Sequence, residues 1–279
     1  MTRKKKFFAA ISLIDKEERE AISYAFHESC EISGGYVMSV HNPVMAFIMD
    51  KVKPDEELDL YLILCRGDCA NGALSGSAAR NADNKISTAV AKRLQEILGA
   101  GNGLTVDSPV VFDGASQASG DCDLNTVREM FRKKNGADAD FRCTVHLVDD
   151  SDSEGNTLGN SSKAYIQLLR KLIKLIEDHD IIYVDTTYGF KPLSEVWRNL
   201  CIYAVRAKTG AEVGAFSYGS LYGVTNENPT IFNNRAFLVM GDIMSNAYDN
   251  KTTDTIINDL LEDLQNDNWD EDDLEDEEV

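Results

Sequence analysis

The sequence predicts an α/β chain: a Rossmann-like, doubly wound, mostly parallel sheet with helices on both faces. Three observations lead there. Several apolar runs are short and continuous rather than alternating, which suits strands covered on both sides. Amphipathic helical repeats lie between those runs, as in βαβ units. Long polar loops follow strand ends, where open α/β sheets bind their ligands.

The elements follow in chain order. Residues 7–13, "FFAAISL", read as the first strand. The preceding "MTRKKK" gives a slight likeness to a signal peptide, but Asp15, Lys16, Glu17 and Glu18 follow at once without a small-residue cleavage site. A cytoplasmic protein is therefore expected. A helix is expected over 16–30, and a second strand over 58–65, "LDLYLILC". The loop 66–84 is rich in Gly, Ala, Ser and Asn, and 85–98 carries Ile86, Val90, Leu94 and Ile97 at helical spacing. Weaker strands are read at 109–112 and 144–148, with polar loops at 114–125 and 149–161.

The strongest helix spans 162–178. Tyr165, Leu168, Leu169, Leu172, Ile173 and Ile176 form one stripe, and Ser161 or Ser162 can cap it. A strand at 181–184 leads into a helix at 193–208, with Val196, Trp197, Leu200, Ala204 and Val205 on one face and Gly210 as its stop. A last strand is read at 213–216, followed by a turn at 217–222. Beyond Thr230 the chain reads as either a strand or a short helix packed on the sheet, and 252–264 as a short helix. The expected division is a Rossmann-like domain over 1–230, an extension packed on it over 231–265, and an acidic tail over 266–279 too charged to fold.

Composition narrows the function classes. The chain has 279 residues and a formal charge of −19. Thirteen Asp and Glu with no Lys or Arg lie in 254–279, which leaves −6 on residues 1–253. Such a balance argues against binding long nucleic acid but allows a local anion site. No apolar run approaches the ~20 residues of a membrane helix. The six cysteines are scattered: Cys65 and Cys69 are spaced as C-x3-C, but neither a second pair nor a nearby His completes a zinc set. Cys65 reads as a reduced core thiol, and neither a metal nor another cofactor is expected.

The segment "DIIYVDTTYGFKP", residues 180–192, carries the chemistry. It passes from a buried strand into two hydroxyls, a glycine and a cation, immediately before a helix. Gly189 permits a sharp turn, and Pro192 suits a first helical turn. The helix start offers N–H groups to an anion, Lys191 adds charge, and Tyr188 or Phe190 can stack on a base. An ordinary capped helix with Phe190 in the core is the competing reading. Neither a P-loop nor a G-x-G-x-x-G fingerprint occurs.

This segment resembles the signature of CARF domains, the CRISPR-associated Rossmann-fold sensors of type III systems, in which a strand ends in Asp-x-Thr-His-Gly-Phe-Arg. Asp185, Thr187, Gly189 and Phe190 match; Tyr188 stands for the His and Lys191 for the Arg. A second family feature, Tyr-Gly-Ala-Leu-Glu, is similar to "SYGSLY", with Tyr218, Gly219 and Leu221 matching. The resemblance implies a homodimer that binds a cyclic oligoadenylate, cyclic tetra-adenylate favoured, across its twofold axis. Ligand residues implied by the family are Ser12, Thr186, Thr187, Gly189 and Lys191; Tyr188 and Phe190 join them as the aromatics able to stack on a base. Sheet geometry adds the 66–84 loop, beginning with Arg66 and Gly67, and the turn Ser217, Tyr218, Gly219. Ser12 also reads as an inward strand residue.

Effector ribonucleases of the family carry an Arg-x4–6-His motif. Arg142 precedes His146 by four, but "FRCTVHLV" reads as a core strand. A stand-alone domain remains, either a ring nuclease or a non-catalytic sensor acting on a partner, with the acidic tail as a possible contact. In the nuclease, a ribose 2′-OH attacks the adjacent phosphate, with Lys191, Thr187 and Ser12 as the groups that position and stabilise it. An unrelated α/β nucleotide-binding enzyme is the third reading.

Overall fold

Continuous apolar runs become central strands because both of their faces must be covered. The computed structural model of the chain describes residues 4–10, 25–26, 51–64, 109–112, 123–150, 158, 161–187, 191–220, 230–236, 238 and 240–241. The strands are β1 (Lys5–Ala10), β2 (Ala25–Phe26), β3 (Glu57–Leu64), β4 (Val110–Phe112), β5 (Arg142–Asp149), β6 (Ile181–Asp185), β7 (Glu212–Ser220) and β8 (Thr230–Asn233). The helices are α1 (Asp123–Asn135), α2 (Ser162–Ile173) and α3 (Lys191–Ala207).

Among the described residues the strands form an eight-stranded sheet in the order β2-β8-β7-β6-β1-β3-β5-β4. The five central strands, β7 to β5 in that order, are mutually parallel. β4 and β8 run antiparallel to β5 and β7. The chain lays β3 and β5 on one side of β1, then returns to place β6 and β7 on the other. That is the doubly wound pattern the sequence predicts, and its switch point lies between β1 and β6.

Every residue of β1 is buried, as its central position requires. Phe8 and Ala10 join Tyr61, Ile63, Ile182 and Val184 in a core covered by α2 and α3. Leu168, Leu172, Val196, Trp197 and Leu200 supply the helical side of that core. Ser161 is the N-cap of α2, its hydroxyl accepting from the backbone N–H groups of Lys163 and Ala164. On the other face of β1, Phe7 and Ala9 are also buried. There α1 turns Leu124, Val127 and Phe131 inward, and Phe131 meets Phe141 edge-on at 5.3 Å. Phe141 alternates away from His146, whose ring stacks on Tyr61 at 4.5 Å, so α1 lies opposite α2 and α3.

Several local expectations are corrected. Residues 123–125, read as loop, open α1; its stripe has only three apolar anchors among charged residues, a weak periodic signal. The helix read over 16–30 contains strand β2 at Ala25–Phe26, held by pairing with Thr230 and Ile231. The rest of that helix, those at 85–98 and 252–264, Cys65 and the acidic tail lie outside the described residues. Helix α2 ends at Ile173, although Ile176 remains in the core. Past Thr230 the chain does both things expected of it: β8 pairs with β7, helical residues follow, and Leu238 enters the core.

Helix α3 ends at Ala207, and the predicted stop, Gly210, lies in the turn that follows with φ +65°. A Cβ built there would collide with the His179 ring at Nδ1. Gly210→Ala combines a left-handed backbone with a steric clash. It is expected to destabilise the protein by about 1–3 kcal/mol, read as a lower urea midpoint at unchanged slope.

Candidate functional site

The carboxyl ends of β1, β3, β6 and β7 share one edge of the sheet because these strands are parallel. Strand β6 ends at Asp185 beside β1, at the switch point where α/β sheets open a crevice. Thr186 and Thr187 follow, and α3 begins at Lys191. The 17 residues of α3 start with Lys191 and Pro192, so its unpaired N–H groups open on this edge.

The local geometry is set by hydrogen bonds across the β6–β7 pair. The Thr186 backbone N–H and hydroxyl both donate to the Ser217 carbonyl, at 2.8 and 2.9 Å. Asp185 is 1% exposed. Its Oδ1 accepts from the Thr187 backbone N–H at 3.1 Å, and its Oδ2 accepts from the Thr187 hydroxyl at 2.8 Å. The Ser217 hydroxyl lies 3.2 Å from Oδ2 and 3.1 Å from the Val184 carbonyl. Thus Thr186 is fixed by the later strand β7 and Thr187 by Asp185 at the end of β6, with Asp185 as the hub.

Burial pushes the Asp185 carboxyl up to about 7, against the three donors from Thr187 and Ser217, which favour ionisation. The folded state therefore keeps a proton that the unfolded chain releases near pH 4. Its contribution to stability is complete at low pH and is lost as pH rises through about 7.

The predicted site residues separate by these contacts. Thr186, Thr187 and the start of α3 at Lys191 come together at the end of β6. Ser217, Tyr218 and Gly219, read as a turn, lie inside strand β7. Pairing with Asn233, Phe232 and Ile231 of β8 extends the ladder through them, a partner the local sequence does not reveal. Ser217 is consequently buried, its hydroxyl turned to Val184 and Asp185, whereas Tyr218 is half exposed. Ser12 follows the end of β1, and Arg66 and Gly67 follow the end of β3; they lie outside the described residues, as do Tyr188, Gly189 and Phe190. Asp185 matches the signature in the sequence but is not among the ligand or catalytic residues expected from it. Its signal is a lone acid ending an apolar strand.

Among the described residues, no group of three or more His, Cys, Asp or Glu could hold a metal ion, and no helix is long and apolar enough to cross a membrane. Cys143 and Cys201 are buried free thiols whose ionisation is suppressed by burial. His146 lies in β5, stacked on Tyr61, and Arg142 bonds Glu57 at 3.2 Å. Both residues are thus engaged within the sheet. The chain matches no protein-family model and no curated protein.

Proposed function

We propose that the chain is a CARF-type protein of type III CRISPR defence. In this reading it binds a cyclic oligoadenylate, cyclic tetra-adenylate favoured, as a cytoplasmic homodimer and degrades it as a ring nuclease. The observation that carries this reading is the placement of Thr186 and Thr187. They follow the end of β6 at the switch point, on the connection to an α3 start that bears Lys191. A strand end of this kind, opening on a helix start, suits phosphodiester oxygens: the first N–H groups of α3 donate, and a lysine supplies charge.

Cleavage in this site requires little covalent participation by the protein. The ribose 2′-OH attacks its neighbouring phosphate, forming a 2′,3′-cyclic phosphate and expelling the 5′-oxygen, which takes up a proton. The protein bends the ring until the attack is in line and stabilises the charge that develops. Thr187 and Lys191, with Ser12 after β1, are the groups given those roles. Two identical half-sites match the repeated nucleotides of the ring.

The test is incubation of the full chain with cyclic tetra- and hexa-adenylate in the presence of a chelator, following binding and product together. Binding with cleavage is expected, and Lys191→Ala should slow cleavage by about tenfold or more while the oligomeric state persists. Binding without product would assign a non-catalytic sensor that acts on a partner. Failure of both rings to bind would discard the CARF reading in favour of another α/β nucleotide enzyme.

A further inference from the structure

Helix α2 with the turn that follows it, residues 162–176, carries Lys163, Arg170, Lys171 and Lys174 and no acidic residue. That is a charge of +4 on one helix of a chain whose net charge is −19. The helix meets the core through Ala164, Leu168 and Leu172. Its flank is tied to α3: the Tyr165 hydroxyl accepts from the Asn199 side-chain amide at 2.6 Å and donates to the Glu195 carbonyl at 3.4 Å. The outer side is open. Ile166, Arg170 and Lys174 recur at i, i+4 and i+8, so they stand in one row. All three are exposed, Ile166 by 48%.

A single exposed isoleucine is ordinary. Here it shares a row with two cations that have no ion-pair partner among the described residues. Like charges at i, i+4 repel and weaken a helix, so Arg170 and Lys174 do not serve α2 itself. They suit a partner that is apolar along its middle and acidic at its edges.

The chain holds such a segment. Residues 252–264, "TTDTIINDLLEDL", place Ile256, Leu260 and Leu264 in one helical row and Ile257 and Leu261 in the next. Asp254, Asp259, Glu262 and Asp263 give this segment a charge of −4 with no cation. It lies outside the described residues, but the chain sets out towards it from beside α3. Leu238 enters the core, and Gly241 lies against the Arg198 guanidinium of α3. Residues 242–251 can span up to about 33 Å, whereas the 12 residues of α2 are only about 18 Å long.

We propose that residues 252–264 dock as an amphipathic helix on the outer face of α2 in the same molecule. Their apolar rows cover Ile166 and its half-buried neighbours Leu169 and Ile173, and their carboxylates meet Arg170 and Lys174. The opposite charges of the two segments favour this occupant. A second copy of α2 would set cations against cations, and a long nucleic acid would have to approach a strongly acidic chain. The contact goes beyond the proposed activity and does not depend on the ligand.

Hydrogen exchange in the full chain at low ionic strength, followed by mass spectrometry on peptides from 252–264, tests the contact. These amides should exchange at least about tenfold more slowly in the wild type than in Arg170→Glu/Lys174→Glu. Both replaced residues are exposed, so exchange in β1 and β6 should stay as in the wild type. Adding Asp259→Lys/Asp263→Lys to that variant should restore protection, and Ile166→Asp alone should remove it. Equal exchange of 252–264 in the wild type and in Arg170→Glu/Lys174→Glu overturns the proposal, as does a charge-swapped chain that regains nothing while β1 and β6 are unchanged. Protection that rises with protein concentration would put the segment on a second copy and equally overturn the contact within one molecule. Binding of an adenylate ring is read separately, and its failure would leave this contact standing.

Discussion

Asp180→Ala should destabilise the protein by about 3–5 kcal/mol, because it strands a buried cation. Asp180 and Lys6 approach to 2.7 Å with side chains only 2% and 4% exposed. Lys6 also donates to the Leu175 carbonyl, while Glu177, 3.8 Å away, is largely exposed and screened. Asp180 also accepts, through Oδ2, from the Glu177 backbone N–H at 2.6 Å. One carboxylate therefore closes the turn after α2 and neutralises β1 where it pairs with β6. Urea unfolding of the full chain is the measurement. A double replacement, Lys6→Met with Asp180→Leu, should recover much of the loss, since an apolar pair carries no desolvation penalty. If Asp180→Ala alone lost less than about 1 kcal/mol, the pair would be behaving as an exposed one.

Trp197→Ala should cost about 3–5 kcal/mol by opening a cavity beneath the sheet. Trp197 is completely buried in α3, with its ring 5.9 Å from that of Phe8. It sits in the cluster that joins β1, β3 and β6 to both covering helices. Its indole N–H has no acceptor among the described residues, so part of what the large ring contributes is offset. Trp197→Phe removes that N–H and leaves a smaller void, and should cost distinctly less than alanine. Equal losses for the two replacements would show that the indole makes a hydrogen bond that matters. Because α3 begins at the candidate site, its docking through Trp197 also fixes where that helix starts relative to the end of β6.

The signals legible in the chain are those confined to one element. The apolar stripe of α2, the Ser161 cap, the glycine after α3 and the unbroken runs of β1 and β3 each follow from local sterics and periodicity. These are enough to imply a doubly wound sheet, and they locate the Thr186–Lys191 connection between a strand and a helix. The weak helix α1 shows the limit: three apolar anchors in a helix of 13 residues become decisive only when a sheet face needs cover.

Tertiary structure decided what depends on partners remote in sequence. Lys5 and Lys6 belong to the basic run before the first strand read from the sequence, yet both are buried because Glu56 and Asp180 meet them. Ser217 and Tyr218 read as a turn until β8 supplies a ladder. Asp185 ends a strand in the sequence, but its bond with the Ser217 hydroxyl arises only when β7 lies beside β6, and its raised proton affinity only with burial. The sequence by itself determined the elements and the chemical groups at their ends. Folding determined which of those groups lose water, and desolvation is what raises the proton affinity of an ordinary aspartate.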